Sequence, residues 1–443
     1  MFIGDEVKKR VLEKVDSLRN EVIEFLRQMV QIPSLSGTPE EGRVQRLVAE
    51  KLEGIEGMEI DVWEPRAEDL ERYPLYPIRL GSWSYENRPN VVGILKGAKS
   101  GKSLILNGHV DVVSSEPASA WTHDPWGAEI EGGKLYGRGS TDMKGGLAAM
   151  IYAVLAVQQA GVKLKGKVIL ESVVEEEYGG GGTIAAIVRG YSADGAIITE
   201  PTDANAICIG AGGSRFFTVK ISGKPEWPHL AHYGVNAIGL ALKVYNALLD
   251  LDAHREKMLR GKHALFEALR SGGMRGPGRP TNLTLGVLRA GDWPATVAGW
   301  AELQGRVGFP PSEKGEDVAK QFEEAVRRAA EQDTWMRDHP PLIKWWGPRR
   351  EGYELAPENP LVQTVKRYIE ETVGPCDLFA SPSAADGSYL ATRVGAYGGI
   401  PTIWYGPGGS SAHSFDEYVR INDVMAVIKV LALSVIDLCG YEI

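Results

Sequence analysis

Short apolar runs that end in polar residues constrain the fold of this chain more than any other feature. Residues 104–106, 168–170 and 197–198 are uninterrupted aliphatic runs, and histidine or carboxylate residues follow each of them. Such runs are typical of strands that are buried on both faces of a parallel sheet. Residues 144–160 and 183–189 have the composition of helices and lie between these runs. The order β-α-β-α-β predicts an α/β fold with a mostly parallel sheet covered by helices.

The pattern changes after residue 212, where strands and helices follow in the order β-α-β-β-α-β. The predicted strands cover residues 215–221, 281–288, 298–308 and 342–346, and the predicted helices cover residues 235–251 and 315–330. This order is typical of a small α+β domain with one helix layer on an antiparallel sheet. We therefore predict a catalytic domain formed by residues 1–212 and 350–443, with an inserted domain at 213–349. Residues 265–280 are glycine-rich and basic, which predicts a mobile surface loop.

Composition and charge exclude several classes of function. A chain of 443 residues with 49 basic and 58 acidic residues has a net charge of -9, which argues against a nucleic-acid-binding surface. No stretch is apolar for long enough to predict a membrane span, and the charged first residues do not resemble a secretory signal. The three cysteines are isolated in the sequence, as is typical of a reducing compartment. We predict a cytoplasmic protein.

Polar residues at the end of the first buried run are candidates for a metal site. His109 and Asp111 are two residues apart on a strand, so that both side chains face the same side. His109 has the donor chemistry of a metal ligand, and Asp111 is placed to accept its other ring N–H. A surface histidine beside an unrelated aspartate is an equal alternative. Asp142 lies in a glycine-rich turn, residues 137–146, where a carboxylate can bridge two metal ions. A helix N-cap, supplied by Thr141 or Asp142, is the alternative, and the two roles are compatible.

The next two runs end in carboxylates. Residues 175–177 are three consecutive glutamates after a buried strand, and they repel one another unless cations or protons intervene. A solvated charge run is the alternative, although such runs usually lie in polar helices. Glu200 follows the third run, and His413 follows a Gly-Pro-Gly-Gly loop far along the chain. His413 alone is an ordinary loop histidine, but with the other residues it becomes a candidate ligand.

These residues together resemble a known family. The chain is similar to the dinuclear zinc metallopeptidases and amidohydrolases that include aminoacylase, acetylornithine deacetylase, succinyl-diaminopimelate desuccinylase and glutamate carboxypeptidase. The resemblance covers nearly the whole chain. The motifs that carry it are His109-Val110-Asp111, residues 137–146 with Asp142, the Glu176-Glu177 pair before Gly179-Gly180, Glu200-Pro201, and Ala412-His413 with Glu417-Tyr418.

The resemblance implies two divalent metal ions per chain, Zn²⁺ in the first place and Mn²⁺ or Co²⁺ as alternatives. It implies that Asp142 bridges the two ions. His109 and Glu200 would complete one metal site, and Glu177 and His413 would complete the other.

The family's other site features fall on residues next to these ligands. The resemblance implies that Glu176 is the general base and that Asp111 orients His109. Glu175 takes the place of the aspartate that usually precedes the glutamate pair. A cis peptide bond after Asp142 is also implied, as is an inserted domain that acts as a lid and forms a homodimer.

The inserted domain departs from the family pattern. Where this chain has Trp227, the family usually has a histidine that is contributed across the dimer to stabilise the oxyanion of the reaction. His229 and His232 are nearby but offset. Either one of these histidines substitutes, or the oxyanion is stabilised differently, or the leaving group is not a simple amide. Arg306 matches a position that can bind a substrate carboxylate, and a strand-face ion pair is an equal alternative. Tryptophans in or near this domain are consistent with binding of an aromatic substrate. Packing in the core or at an interface is the more common use of this residue.

We therefore predict a metal-dependent hydrolase that cleaves the amide bond of an N-acyl amino acid or a similar small carboxylated substrate. Two alternative functions use the same metal site but cleave a different bond of the substrate. They are a dipeptidase or carboxypeptidase, and a hydrolase of an aryl-amine or carbamoyl C–N bond. A catalytically silent relative is disfavoured because Glu176 and all of the ligand positions are present. The expected partners are a small-molecule substrate and a second copy of the chain, with no nucleic acid and no membrane.

Overall fold

The computed structural model describes residues 3–78, 83–98, 100–267, 279–410 and 412–442. Most of the predicted loop at 265–280 lies outside these residues. The strands are β1 Met58–Trp63, β2 Asn90–Leu95, β3 Leu104–His109, β4 Ile130–Glu131, β5 Lys134–Tyr136, β6 Val168–Val173, β7 Gly195–Ile198, β8 Ala206–Ala211, β9 Gly213–Ser222, β10 Asn282–Ala290, β11 Trp300–Phe309, β12 Leu342–Arg350, β13 Tyr353–Glu354, β14 Asp377–Ser381, β15 Thr402–Trp404, β16 Gly409–Ser410 and β17 Tyr418–Arg420. The helices are α1 Asp5–Ser17, α2 Arg19–Val30, α3 Glu40–Glu53, α4 Ala67–Leu70, α5 Gly145–Gln159, α6 Gly181–Arg189, α7 Ala237–Leu259, α8 Ala264–Glu267, α9 Gly315–Glu331, α10 Thr334–Asp338, α11 Pro360–Thr372, α12 Gly387–Ala391 and α13 Ile421–Cys439.

The largest sheet has the strand order β1-β2-β6-β3-β7-β15-β8-β13, and β14 pairs with β8. Its centre is parallel, because β3 pairs in parallel with both β6 and β7, and β15 pairs in parallel with β7. Antiparallel pairs such as β1–β2 and β2–β6 lie towards one edge. The predicted α/β fold with a mostly parallel catalytic sheet is confirmed.

Helix α5 shows why the core of this part of the chain lies beside the central strands. Its sequence is apolar all around the helix, and it is buried along almost its whole length. It packs against β3, β6 and α13, and α13 is itself mostly buried. When both faces of a sheet are buried among apolar side chains, polar side chains are favoured at the ends of its strands.

A second sheet has the order β10-β11-β9-β12, and its neighbouring strands are antiparallel. Helices α7 and α9 pack against it and against each other. Their shared core includes Phe217, Leu240, Leu303 and Phe322. These elements follow the strand and helix order that the sequence predicts for the inserted segment. A third, small sheet, β16-β17-β5-β4, joins residues near position 135 to residues near position 419.

No helix in the described part of the chain is both long and apolar enough to cross a membrane.

Candidate metal centre

The register of the central sheet brings the predicted site residues to one edge. His109 lies opposite Val173 on β6, so the glutamates at 175–177 follow shortly after the residue that is level with His109. On the other side of β3, Asn107 lies opposite Ile198, which places Glu200 level with His109. The three predicted strand ends therefore meet at the carboxyl edge of the parallel strands, where ligands bind in open α/β sheets.

Asp142 lies between two histidines that come from distant parts of the chain. Its Oδ1 is 3.3 Å from His109 Nε2, and its Oδ2 is 3.3 Å from His413 Nε2. Glu200 Oε1 is 3.8 Å from His109 Nε2, and Glu177 Oε2 is 3.1 Å from His413 Nε2. The five predicted ligands thus form two groups that share Asp142. Ligand atoms of His109, Asp142 and Glu177 lie within 4.8 Å of one another, a spacing that fits a bound metal ion.

The charges of the cluster also fit a divalent cation. Burial and the charge of Asp142 raise the pKa of Glu177 to about 8, and the same causes raise the pKa of Glu200 well above its usual value. Hydrogen bonds to Asp142 and Glu177 raise the pKa of His413 to about 11. His109 Nε2 is buried and has no hydrogen-bond partner by distance and angle among the residues that the structure describes. Carboxylates that are crowded in this way need a positive charge, and imidazole with carboxylate is a donor set of zinc.

Asp111 holds two of these segments together. His109 Nδ1 is 2.9 Å from the carbonyl oxygen of Asp111 and 3.4 Å from its carboxylate Oδ1. The Asp111 carboxylate accepts the backbone N–H groups of Glu176 and Glu177, at 3.0 and 3.1 Å, and the hydroxyl of Ser36. Burial alone would raise the pKa of Asp111, but its bonds to His109 and Ser36 lower it. Asp111 therefore positions the glutamate loop as well as the imidazole.

A buried arginine–glutamate pair fixes the turn that carries Asp142. Glu417 Oε1 accepts the backbone N–H groups of Thr141 and Asp142, at 3.0 and 3.1 Å. Its Oε2 accepts from Arg138 Nη1 at 2.6 Å, and both side chains are buried. The peptide bond between Asp142 and Met143 is cis, so that feature of the prediction is confirmed.

A second buried arginine–glutamate pair fixes the glutamate loop. Glu41 Oε1 accepts the backbone N–H of Glu175 at 3.0 Å, and its Oε2 accepts the backbone N–H of Gly37 at 3.2 Å and the guanidinium of Arg88. Glu175 is buried and has a φ of 63°, in the left-handed region that few residues with side chains adopt. The bond from Glu41 therefore holds the chain in an unusual turn immediately before Glu176.

Sequence reasoning missed Arg350, which contacts the predicted general base. Its Nη2 donates to Glu176 Oε1 at 2.7 Å, to the carbonyl oxygen of Glu176 at 2.9 Å and to Asp386 Oδ1 at 3.3 Å. Glu176 also has a ligand atom within 4.8 Å of those of His109 and Glu200. Arg350 is the last residue of β12 and lies 174 positions from Glu176. The only signal in the sequence is a pair of arginines at a strand end.

The structure does not bring the predicted substrate-binding residues of the turn at Pro228–Tyr233 to this cluster. Trp227 is 70% exposed, and His229 and His232 are exposed as well. In the described ranges, the ring contacts of these histidines are with Trp227 and Tyr233.

Arg306 lies elsewhere, on β11, and donates to Asn282 Oδ1 at 3.2 Å. Burial and the nearby charge of Arg350 lower its pKa to about 10. The alternative interpretation of Arg306, a strand-face ion pair, is not observed within the described residues.

Comparison with known proteins places this chain in a family. The model of "Peptidase family M20/M25/M40" matches residues 105–437. The N-formyl-4-amino-5-aminomethyl-2-methylpyrimidine deformylase of Bacillus subtilis is 30% identical, over 97% of this chain and 97% of that protein. A probable succinyl-diaminopimelate desuccinylase of Staphylococcus epidermidis is 27% identical, over 74% of this chain and 81% of that protein.

The fold agrees with these matches. The solved structure of the di-peptidase Dug1p from Saccharomyces cerevisiae superimposes with a TM-score of 0.76, covering 97% of this chain and 98% of that one at 17% identity. The prediction of a hydrolase that acts on amide C–N bonds is confirmed at the level of the family. The chain belongs to peptidase family M20/M25/M40.

Proposed function

We propose that this hydrolase uses two divalent metal ions to cleave the amide bond of a small N-acyl amine. The observation that carries the proposal is the arrangement of His109, His413, Glu177 and Glu200 around the two oxygens of Asp142. In this proposal Asp142 bridges the ions, His109 and Glu200 bind one, and Glu177 and His413 bind the other. When bound, such ions polarise a carbonyl group and lower the pKa of water.

Glu176 is the general base in this proposal. Its buried carboxylate lies beside the cluster, and it takes a proton from the attacking water and returns it to the leaving nitrogen. The bond from Arg350 fixes the carboxylate, while Asp111 fixes the backbone of the same residue. Both contacts favour one position of the base, which is the condition for efficient proton transfer.

Zn²⁺ is the metal that we propose first, and Mn²⁺ or Co²⁺ are the alternatives. Imidazole and carboxylate ligands accept all three ions, and the cluster contains no thiolate. The test is metal analysis of protein that has been stripped with a chelator and reconstituted with each ion in turn. Two equivalents of one ion together with recovered activity support the proposal, and activity without bound metal contradicts it.

An N-formyl aminopyrimidine is the first substrate that we propose to test. Relatives that match nearly the full chain are deformylases of such a compound, whose scissile bond is an amide but which has no carboxylate. An N-acyl amino acid is the second candidate. It is supported by Arg306, whose guanidinium has no carboxylate partner among the residues that the structure describes and is half-buried.

A panel of N-formyl amines, N-acetyl amino acids, dipeptides and aryl amides separates these substrates. Arg306→Gln distinguishes them further, because it should raise KM only for substrates with a carboxylate. Turnover of N-formyl amines that is insensitive to Arg306→Gln supports the first candidate. Turnover confined to carboxylated substrates, and weakened by this change, supports the second. No turnover of any amide by metal-loaded protein contradicts the proposed function.

We also propose that residues 213–349 form an inserted lid domain and that the chain is a homodimer. Helix α7 exposes Ile238, Leu242 and Leu249 at helical spacing, and Leu242 is 49% exposed. Leu242→Glu should convert a dimer to a monomer in light scattering, whereas Val62→Glu on β1 should not. A wild-type monomer, or a dimer that is insensitive to Leu242→Glu, contradicts this interface.

The proposed location is the cytoplasm, and the proposed partners are a small-molecule substrate and the second subunit. Three free cysteines and a net charge of -9 support these assignments and give no support to nucleic acid or a membrane as a partner. Fractionation of cells that express the protein from its own promoter tests the location.

A further inference from the structure

An aromatic pair adjoins the candidate metal centre on the side of Glu177. Tyr178 directly follows this ligand, and its side chain is 57% exposed. Its ring stacks on Trp83, with 5.7 Å between the ring centroids and 29° between the planes. A ring exposed to this extent has surface that a bound ligand can contact.

A second aromatic pair adjoins the centre on the side of His413. Phe415 is two residues beyond this histidine and is 39% exposed. Its ring meets Trp121 edge to face, with 6.3 Å between the centroids. Because His413 Nε2 lies 3.1 Å from Glu177 Oε2, Tyr178 and Phe415 lie on the two chain segments that meet at this contact.

Each tryptophan is held by one of the buried arginine–glutamate pairs that also hold the ligand loops. The guanidinium of Arg88 lies 5.1 Å from the ring centroid of Trp83, and that of Arg138 lies 5.1 Å from the ring centroid of Trp121. The same arginines pair with Glu41 and Glu417, which fix the backbone before Glu176 and at Asp142. The two arginine–glutamate pairs therefore hold both the loops that carry the candidate ligands and the two tryptophan rings.

The loop beneath Trp83 packs closely against its ring. A Cβ atom at Gly37 would lie 3.0 Å from the ring of Trp83, and Gly37 has a φ of 85°. Its neighbour Ser36 donates to Asp111, the residue that holds the glutamate loop. The tryptophan thus rests against a loop that is itself bonded to the site, which makes its position rigid.

We infer that Tyr178 and Phe415 form a binding subsite for a planar aromatic amine, the part of the substrate that leaves after the amide bond is cleaved. The inference rests on the proposed function, because it places the scissile amide at the metal centre between the two rings. A flat π-system gains stacking and edge contacts that a saturated group of equal size does not gain. The relatives that deformylate an aminopyrimidine take a substrate of this class.

The test compares two substrates that differ only in the planarity of one ring, N-formylbenzylamine and N-(cyclohexylmethyl)formamide. In metal-loaded protein, Tyr178→Ala and Phe415→Ala should each lower kcat/KM for the benzyl compound about three- to tenfold, mainly through KM. The cyclohexyl compound should change by less than about twofold, and Tyr178→Phe should behave like the wild type. Trp293→Ala is the matched control, since Trp293 is 67% exposed and lies in the loop between β10 and β11.

Equal losses for both substrates would overturn the subsite, as would no loss for either. If the metal-loaded wild type hydrolyses no amide of the substrate panel, the proposed function fails. In that case, or if it hydrolyses other amides but no N-formyl amine, binding of benzylamine to the metal-loaded protein decides the subsite. Weaker binding in Tyr178→Ala than in Trp293→Ala supports it. Equal binding in the two variants, or no binding to the wild type, overturns it.

Discussion

Replacement of Arg350 with glutamine tests whether the candidate base is held by a buried ion pair. The guanidinium contacts the carboxylates of Glu176, at 2.7 Å, and Asp386, at 3.3 Å, and all three side chains are buried. Removing one partner of a buried pair leaves an uncompensated charge, which costs about 3–5 kcal/mol. We therefore expect Arg350→Gln to lower the free energy of unfolding by an amount in this range.

The neighbouring arginine is a matched control. Arg349 is only half-buried, and its guanidinium donates to the carbonyl oxygen of Tyr76 from Nε at 3.1 Å and from Nη2 at 2.8 Å. It has no carboxylate partner in the described part of the chain. Arg349→Gln should therefore cost about 1 kcal/mol, the usual net value of a hydrogen bond. Urea unfolding measures both variants, and equal m-values allow the midpoints to be converted to free energies.

A second change identifies the cause of the loss. Asp386→Asn in the Arg350→Gln background removes one of the two unpaired charges and should restore part of the lost free energy. If Arg350→Gln unfolds at the same midpoint as Arg349→Gln, or if Asp386→Asn adds to the loss, the buried ion pair does not have the energy assigned to it.

The sign of the pH dependence follows from Asp386. Burial and the charge of Glu176 raise the pKa of this carboxyl to about 7, although Arg350 opposes the shift. A carboxyl group whose pKa is higher in the folded state than in the unfolded state destabilises the fold as the pH rises above the unfolded-state pKa, and this penalty is complete above the folded-state pKa. Loss of Arg350 raises this pKa further. The deficit of Arg350→Gln should therefore be largest above pH 7 and should shrink as the pH falls towards 5. A deficit that is constant with pH contradicts this explanation.

Three further predictions concern the metal centre. Glu176→Ala should leave the metal content near that of the wild type while the turnover number falls by orders of magnitude, and a fully active variant would remove the general-base assignment. Asp142→Ala should lose both metal ions together in elemental analysis, and retention of two full sites would refute the bridge. Binding of Zn²⁺ at pH 7 should release protons, because carboxylate partners raise the pKa of His413 to about 11 and that of His109 well above its usual value. Calorimetry in buffers of different ionisation enthalpy detects this release, and a signal that is independent of buffer would show that the imidazoles are already neutral.

The features that sequence predicted well are local. His109, Glu177 and Glu200 each follow an apolar run, and the parallel pairing of β3 with β6 and β7 is enough to bring their strand ends together. Asp142 was identified by its glycine-rich turn and His413 by the family motif. Both residues follow short glycine-rich stretches, whose backbone can adopt conformations that other residues rarely adopt.

The contacts that sequence did not predict join residues far apart in the chain. Arg138 is 279 positions from Glu417, and Arg88 is 47 positions from Glu41. An isolated arginine or glutamate has no periodicity that indicates its partner, so these pairs become visible only when the strands and loops are in place. The substrate contact that the family motif implies for the turn with His229 stays a prediction. The histidines of this turn are exposed in the single chain, and the resemblance places the contact across a dimer.

The distribution of arginines gives the strongest physical reason for a metal at this site. Arg88, Arg138 and Arg350 are all buried, and each pairs with a carboxylate next to the cluster, so burial of cations near the site is tolerated. Yet Asp142 and the other proposed carboxylate ligands, Glu177 and Glu200, have no lysine or arginine partner within the ranges that the structure describes. Among the described residues, the ion-pair partners of these three carboxylates are the two imidazoles. Within the described residues, arginines are therefore absent from the positions where they would compete with a divalent ion. They pair instead with carboxylates next to the proposed ligands, and these pairs fix the loops that carry the ligands.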